Sequence, residues 1–177
     1  IYSEKLQGAA VFVKNDKNKV SSLISKCCKQ QLKDLKLKRF IPSHIASCFK
    51  GVDEKLYLLD IKPPKSTCQS LREYLRTTKD DYVIFFRQEK IDLEKYNQYM
   101  LARVGLWYGL VSAIQSIFKH ITFKHGMHCS ENWIYACNQQ NLYWDINANK
   151  STPANLLNYL LEKYCQKDVN NARQIKI

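Results

Sequence analysis

His128-Cys129-Ser130-Glu131-Asn132-Trp133 is the stretch from which the fold of this chain can be worked out. It joins a loop-like tract, Lys119–His128, to an apolar helix predicted for Ser130–Asn138, so Cys129 lies at a helix start. The positive end of the helix dipole and the free backbone N–H groups there favour a thiolate and lower its pKa. The same N–H groups can stabilise the oxyanion that forms when a thiolate attacks a carbonyl. A buried structural cysteine would have the same local pattern.

A thiolate nucleophile needs a base, and His44 is the candidate. His44 opens a predicted strand, His44–Phe49, which pairs through a hairpin with a second strand, Lys55–Ile61. Asp60, near the end of the second strand, can accept a hydrogen bond from the other ring nitrogen. Because strand side chains alternate between faces, His44 and Asp60 share a face only if the loop is odd-numbered or bulged, as Gly51-Val52-Asp53 allows. A structural histidine and a solvated turn aspartate are the alternatives.

The rest of the chain predicts an α+β fold with strands and helices in one domain, residues 1–177. Hydrophobic periodicity predicts two further strands, Ala9–Val13 and Tyr82–Arg87. It also predicts helices at Ser22–Leu35, Ser70–Arg76, Asp92–Val104, after Gly105 up to Phe118, and at Ala154–Cys165. We expect the core to span about residues 9–165 and residues 166–177 to form a polar tail.

Several short motifs follow one another along the chain. They are Ala9-Ala10-Val11-Phe12-Val13, Pro42-Ser43-His44-Ile45-Ala46, Tyr57-Leu58-Leu59-Asp60, Trp107-Tyr108-Gly109, His128-Cys129-Ser130-Glu131 and Ser151-Thr152-Pro153. Their succession resembles the circularly permuted NlpC-type papain-like hydrolases. That superfamily includes amidase-like proteins of bacteria and viruses and the lecithin:retinol acyltransferases. The resemblance covers nearly the whole chain, from about Ala9 to Tyr164.

The resemblance implies a papain-like, circularly permuted antiparallel sheet packed against helices, with the nucleophile at a helix N-terminus. An S-H-V-G strand carries the base in that superfamily, and a C-S-E or N-C-E helix start carries the nucleophile. His44 and Cys129 match these positions. Asp60 matches the strand position of an acidic or polar third residue, although Glu is commoner there. A second departure is that Ala46 and Ser47 replace the usual Gly and Ile.

The function implied by the resemblance is a cysteine hydrolase that forms an acyl-enzyme. Its first substrate class is an amide or peptide bond of the cell-wall type, and its second is an acyl-lipid ester, cleaved or transferred. Ser43 and Tyr108 lie in the matching motifs, and together with His128 they are predicted to contact the substrate. No metal or other cofactor is expected. The alternatives are a non-catalytic structural or virion-associated protein and a domain that binds an anionic polymer.

The charge of the chain favours anionic partners. The net charge is +12, from 28 basic and 16 acidic residues, which attracts an acidic cell-wall polymer or an acidic lipid in a salt-dependent way. Most of the basic residues are lysines, whereas base-edge recognition relies on arginine, so nucleic acid is not the expected partner. A basic rim that guides an anionic substrate is predicted from Lys119, His120, Lys124, His125 and His128.

The cysteines and histidines also bear on redox state and metal binding. Seven cysteines are an odd number and show no C-x-x-C spacing, which favours reduced thiols. His120, His125, His128 and Cys129 have a spacing that could hold zinc, but no second Cys/His pair stands at a typical distance. The zinc hypothesis is therefore the weaker one.

Other features of the sequence bear on location and on the aromatic residues. Apolar runs are too short to cross a bilayer and no signal peptide is apparent, so a cytoplasmic or virion-associated protein is expected. The aromatic residues near the site are predicted to be core or pocket wall rather than a base-stacking platform; they are Trp107, Tyr108, Trp133, Tyr143 and Trp144.

Overall fold

The computed structural model of the chain describes residues 2–14, Ser22, Lys26, and residues 40–109, 127–143 and 145–165. In these residues a five-stranded antiparallel sheet, with strand order β4-β3-β2-β1-β5, carries helices on both faces. The strands are β1 (Ala10–Lys14), β2 (His44–Lys50), β3 (Leu56–Asp60), β4 (Thr67–Ser70) and β5 (Asp81–Phe85). The helices are α1 (Tyr2–Leu6), α2 (Leu71–Thr77), α3 (Leu93–Leu101), α4 (Cys129–Asn138) and α5 (Pro153–Cys165), with a 3₁₀ turn at Ala148–Lys150. The predicted α+β class is confirmed.

Strands β1 and β2 lie in the interior of the sheet, and their sequences explain why. Side chains on both of their faces are buried, so the strands read as nearly continuous apolar runs rather than as an alternating pattern. Phe12 of β1 pairs with Ile45 of β2, and Ala46 of β2 pairs with Asp60 of β3. The pairing of β2 with β3 therefore brings the start of β2 next to the end of β3.

The hairpin between β2 and β3 has the odd-numbered loop that the shared face of His44 and Asp60 requires. The last strand pair is Lys50 with Leu56, which leaves the five residues 51–55 in the loop. Ala46 is the direct partner of Asp60, and His44 lies two residues before Ala46 in β2, so its side chain is on the same face as that of Asp60. The prediction that both side chains share a face is confirmed.

Helices cover the two faces of the sheet unequally. The face that carries Ile45, Phe49 and Leu59 packs against α3, α4 and α5. The opposite face, with Ala46 and Leu58, packs against α2. Cys129 belongs to the same core cluster as Ile45, so the first turn of α4 lies against the start of β2.

Some predicted elements differ from the structure. Strand β4 was not predicted, because Thr67-Cys68-Gln69-Ser70 is a short polar edge strand without apolar alternation. The helix predicted for Asp92–Val104 ends at Leu101. The helix predicted after Gly105 is wrong for residues 106–109, where Trp107 and Tyr108 form β-bridges instead.

Several predictions fall on parts of the chain that the structure does not describe. These are most of the helix Ser22–Leu35, residues 110–118 of the second long helix, the tract 119–126 and the polar tail. Within the described ranges, no helix has both the length and the apolar character needed to span a membrane.

Candidate active site

Cys129 is the first residue of α4, the position that the sequence predicted for a nucleophile. His128 precedes it as the helix N-cap in an extended conformation, so the chain turns from loop to helix at the thiol. The Cys129 residue is 4% exposed. The thiol also interacts with the backbone of Ile45 and with the side chain of His44, both at the start of β2. Residues 85 positions apart in the sequence, Cys129 and His44, are thereby brought together.

His44 is held by the third predicted residue. Its Nε2 lies 2.6 Å from Oδ1 of Asp60, a charge-assisted hydrogen bond between β2 and β3. The other carboxylate oxygen of Asp60 accepts a hydrogen bond from Nζ of Lys62 at 2.6 Å. The side chain of Asp60 is 5% exposed and that of His44 is 19% exposed. The structure therefore brings the three side chains together in the order thiol, imidazole and carboxylate.

The pair His44–Asp60 is held in its charged form. Burial opposes the imidazolium, but the carboxylate of Asp60 and the thiolate of Cys129 outweigh it and raise the pKa of His44 from 6.5 to about 10. Burial likewise opposes the carboxylate, but the charge of His44 and hydrogen bonds from His44 and Lys62 lower the pKa of Asp60 well below its usual range. Near neutral pH the ring is therefore an imidazolium on an ionised aspartate.

The electrostatics of Cys129 favour a nucleophilic sulfur. Burial raises the pKa of the thiol, but the charge and hydrogen bond of His44 and the charge of His128 more than compensate, and the pKa falls from 9.0 to about 7. Cys48 shows the contrast: burial without such a partner raises its pKa to about 12. Burial also raises the pKa of Cys137, in the same helix, and of Cys68. Among the cysteines that the structure describes as free, Cys129 alone has a lowered pKa.

His128 is buried rather than placed on a basic rim. It is 2% exposed, with Nδ1 2.9 Å from Oε2 of Glu131 and Nε2 3.0 Å from the carbonyl oxygen of Ser151. Since a carbonyl only accepts, Nε2 carries a hydrogen. Burial opposes the charged ring, but Glu131 and the thiolate of Cys129 raise the pKa of His128. The rim prediction is wrong for His128 because its ring anchors the start of α4, while the other predicted rim residues lie outside the described residues.

The other two predicted substrate contacts lie next to the three central residues. Ser43 directly precedes His44, is 2% exposed, and its backbone N–H donates to the carbonyl of Val13 at 3.0 Å. Tyr108 is half-buried, and burial together with the charge of Cys129 raises the pKa of its phenol. A contact of either residue with substrate stays a prediction.

Sequence reasoning missed the contacts of Glu131 with His128 and of Lys62 with Asp60, and it missed that Met127 pairs with Tyr108 and lines a pocket. Glu131 accepts from the backbone N–H of His128 at 3.2 Å as well as from its ring. Its position three residues after the N-cap is that of a capping-box carboxylate, which is the signal that could have identified it. Lys62 follows the end of β3, and its spacing of two residues from Asp60 is the only signal in the sequence for this contact.

The structure also contains a pocket of about 250 Å³. It is lined by Ile61, Ser66, Arg103, Leu106, Trp107 and Met127. Three of these residues are sequence neighbours of site residues: Ile61 follows Asp60, Trp107 precedes Tyr108, and Met127 precedes His128. A β-bridge between Tyr108 and Met127 joins the two chain segments. The pocket therefore shares chain segments with the site, although Cys129, His44 and Asp60 do not line it.

Of the aromatic residues predicted as core or pocket wall, Trp133 and Tyr143 are buried and stack with ring centroids 5.4 Å apart. Trp107 is 78% exposed and lines the pocket. In the described part of the chain, no group of three or more His, Cys, Asp or Glu side chains could hold a metal ion. The histidines His120 and His125 of the zinc hypothesis are not among the described residues.

Comparison of the chain with protein-family models, with curated proteins and with solved structures found no match.

Proposed function

We propose that the chain is a cysteine hydrolase with a circularly permuted papain-like fold, in which Cys129 is the nucleophile, His44 the acid–base residue and Asp60 its anchor. One observation carries the proposal. A buried thiol with a lowered pKa stands at the N-terminus of a helix beside an imidazole that is itself bound to a buried carboxylate. This is the nucleophile, base and orienting acid that acyl transfer to a thiol requires.

The geometry supports a definite proton path. Asp60 occupies Nε2 of His44, which leaves Nδ1 as the ring nitrogen that exchanges a proton with Cys129. The thiolate sulfur attacks the substrate carbonyl carbon, and the carbonyl electron pair moves onto oxygen. Backbone N–H groups in the first turn of α4 stabilise that oxyanion. When the intermediate collapses, the bond to the leaving amine breaks and the imidazolium of His44 gives that amine its proton.

Water completes the cycle. His44, now neutral, removes a proton from water as the water oxygen attacks the thioester carbonyl carbon. Collapse of the second intermediate breaks the bond between carbon and sulfur, releases the carboxylic acid and restores the thiolate–imidazolium pair. One water is consumed for each amide bond cleaved.

The leading substrate class is an amide or peptide bond of the cell-wall type, and an acyl-lipid ester is the alternative within the same chemistry. The net charge of +12 supports a substrate carried on an anionic polymer or surface. It also favours a second candidate function, a non-catalytic domain that binds an anionic polymer. Binding of that kind would weaken with salt and would be unaffected by Cys129→Ala.

Thiol labelling tests the proposal. At pH 7, iodoacetamide should alkylate Cys129 at least about tenfold faster than any other cysteine, as followed by peptide mass spectrometry. Cys137→Ala is the matched control, since Cys137 lies in the same helix and its pKa is raised by burial. The proposal fails if Cys129 reacts no faster than Cys48 or Cys137, or if Cys129→Ala retains the hydrolytic activity of the unaltered chain.

A further inference from the structure

The pocket beside the site lies at the end of the sheet where the proposed nucleophile is found. Ile61 directly follows β3, whose end pairs with the start of β2, where His44 lies. Ile61 also belongs to the core cluster on the sheet face that packs against α3 and α4. The pocket and Cys129 are thus on the same face and at the same end of the sheet.

The pocket is suited to an apolar group of modest size. Its walls include Ile61, Leu106, Trp107 and Met127. Leu106 is 46% exposed and Trp107 is 78% exposed, so two large apolar side chains remain in contact with water at the pocket mouth. A cavity of about 150 Å³ is enough to bind benzene. The volume of about 250 Å³ therefore accommodates an aromatic ring or a short branched alkyl group.

One positive charge stands in the pocket wall. The guanidinium of Arg103 lies 4.7 Å from the ring centre of Tyr99, which orients it by a cation–π contact. Within the described part of the chain, no carboxylate lies at ion-pair distance from Arg103. A guanidinium in such a position can bind a carboxylate through two parallel hydrogen bonds.

The wall that carries this charge is held in place by a polar contact. The Oγ of Ser66 donates to the carbonyl oxygen of Arg103 at 2.5 Å, and the backbone N–H of Ser66 donates to the carbonyl of Leu106 at 2.8 Å. The backbone N–H of Tyr108 donates to the carbonyl of Pro64 at 2.9 Å. These hydrogen bonds tie residues 103–108 to the segment that follows β3, so the pocket is preformed.

From these observations we propose that the pocket binds an apolar substrate group carrying a carboxylate, with Trp107 and Met127 around the apolar part and Arg103 on the carboxylate. The inference rests on the proposed function and names the substrate class of that same site. The substrate is then an amide in which an aromatic or short branched alkyl group with an acidic substituent flanks the scissile bond.

Three alkylating reagents test the pocket through the reactivity of Cys129. They are iodoacetamide, N-benzyl iodoacetamide and N-(4-carboxybenzyl) iodoacetamide. In each case the sulfur displaces iodide and forms a thioether. Because burying a ring contributes about 1.5–3 kcal/mol, the benzyl reagent should react at least about tenfold faster than iodoacetamide. The carboxybenzyl reagent should be faster again by about fivefold or more.

Variants separate the two parts of the pocket. Trp107→Ala should reduce the rate ratio of the benzyl reagent to iodoacetamide toward one. Arg103→Gln should remove the advantage of the carboxylate and keep that of the ring. The control is Val52→Ala at the tip of the β2–β3 hairpin, another exposed apolar residue, and it should change neither ratio. Equal rates for all three reagents with a Cys129 that iodoacetamide labels rapidly would overturn the pocket proposal while leaving the proposed function intact.

A measurement without thiol chemistry covers the other case, in which iodoacetamide does not label Cys129 rapidly. Titration with N-(4-carboxybenzyl) acetamide should shift the indole N–H resonance of Trp107 saturably. The indole N–H of Trp133 should stay in place, because it is buried and donates to the carbonyl of Gly8 at 3.2 Å. A Trp107 resonance that does not move at millimolar probe would overturn the pocket proposal independently of any nucleophile.

Discussion

The carboxylate of Asp60 binds Nε2 of His44 at 2.6 Å across two neighbouring strands. The contact orients the imidazole and fixes which of its nitrogens is left for Cys129. It also joins three segments of the chain, since β2, β3 and the start of α4 each supply one member of the group. Much of the proposed chemistry depends on this one hydrogen bond.

Replacing Asp60 by Asn should inactivate the site with little change in shape. The amide can donate to Nε2 and so favour the wrong ring tautomer, as happens in Ser-His-Asp triads, where the loss is about 10⁴-fold. We expect the alkylation rate of Cys129 and any hydrolytic rate to fall by about 10²-fold or more. Lys62→Ala is the control: Lys62 binds the same carboxylate but is 55% exposed, so the rate should change by less than about fivefold. Similar losses in both variants would contradict the assignment of Asp60.

The pH dependence of Cys129 alkylation should reveal the thiolate. A pKa lowered to about 7 predicts a rate that rises with pH and reaches half its maximum near pH 7. In His44→Ala the charge and the hydrogen bond that favour the thiolate are lost, so burial dominates and the midpoint should move above 9.0. Iodoacetamide rates measured from pH 5 to pH 10 check this. A midpoint that stays in place in His44→Ala would rule out the thiolate–imidazolium pair.

His128 should also lower the pKa of Cys129, but by less than His44 does. Its charge acts on Cys129 in addition to that of His44, so His128→Asn should raise the midpoint of the alkylation profile by less than about one pH unit. Glu131→Gln should act in the same direction, because the carboxylate is what keeps His128 charged. Thermal unfolding followed by circular dichroism shows whether each variant is folded. An unchanged midpoint in two folded variants would show that His128 serves only to anchor the helix.

The His44–Asp60 pair should make stability depend on pH. The folded pKa of His44 is raised from 6.5, so its contribution is complete below pH 6.5 and is lost as pH rises toward 10. The folded pKa of Asp60 is depressed below 3.8, so its contribution is present above that value and is lost as pH falls below it. We expect the pair to stabilise most between about pH 4 and pH 6.5.

Urea unfolding checks that window. The difference in free energy of unfolding between the parent and His44→Ala should shrink from pH 6 to pH 9.5. Both chains should carry Cys129→Ala, because formation of the thiolate would add a pH dependence of its own. A difference that is constant with pH would contradict the raised pKa of His44.

Two glycines offer a matched stability test. Gly8 and Gly105 both have a positive φ, +84° and +82°, which costs an alanine about 1 kcal/mol. A Cβ at Gly8 would also lie 2.9 Å from Cδ of Arg87, whose Nε donates to the carbonyl of Gln7, whereas a Cβ at Gly105 meets no atom within 4 Å. Gly8→Ala should therefore destabilise by more than Gly105→Ala in urea unfolding. Equal losses would mean that Arg87 moves aside at no cost.

The central residues could be predicted because each has a local signature. Cys129 stands before an apolar helical repeat, and His44 and Asp60 stand on apolar strands whose pairing obeys the alternation of side chains. Those rules depend only on neighbouring residues in the sequence. The α+β class and the face shared by His44 and Asp60 follow from them.

What could not be predicted depends on contacts between distant segments. His128 looks like a surface histidine in a basic tract, and only the carbonyl of Ser151, 23 residues away, shows that it is buried. Likewise β4 is polar and becomes a strand by pairing with β3, not by any pattern of its own. The pocket is formed by residues that follow β3, residues that follow α3 and a residue that precedes α4, so no single stretch of sequence predicts it.

The five residues between β2 and β3 have a further consequence for how such a chain can vary. Residues added or removed within that loop leave the pairing of Ala46 with Asp60 intact, so the aspartate stays beside the histidine. With the loop kept at five residues, an insertion of one residue in β2 or β3 between His44 and Asp60 shifts the register, turns the carboxylate to the opposite side of the sheet and leaves the imidazole without its acid. Functional variants of this chain should therefore tolerate changes of length in the loop but not single-residue changes in these two strands, unless a bulge restores the alternation.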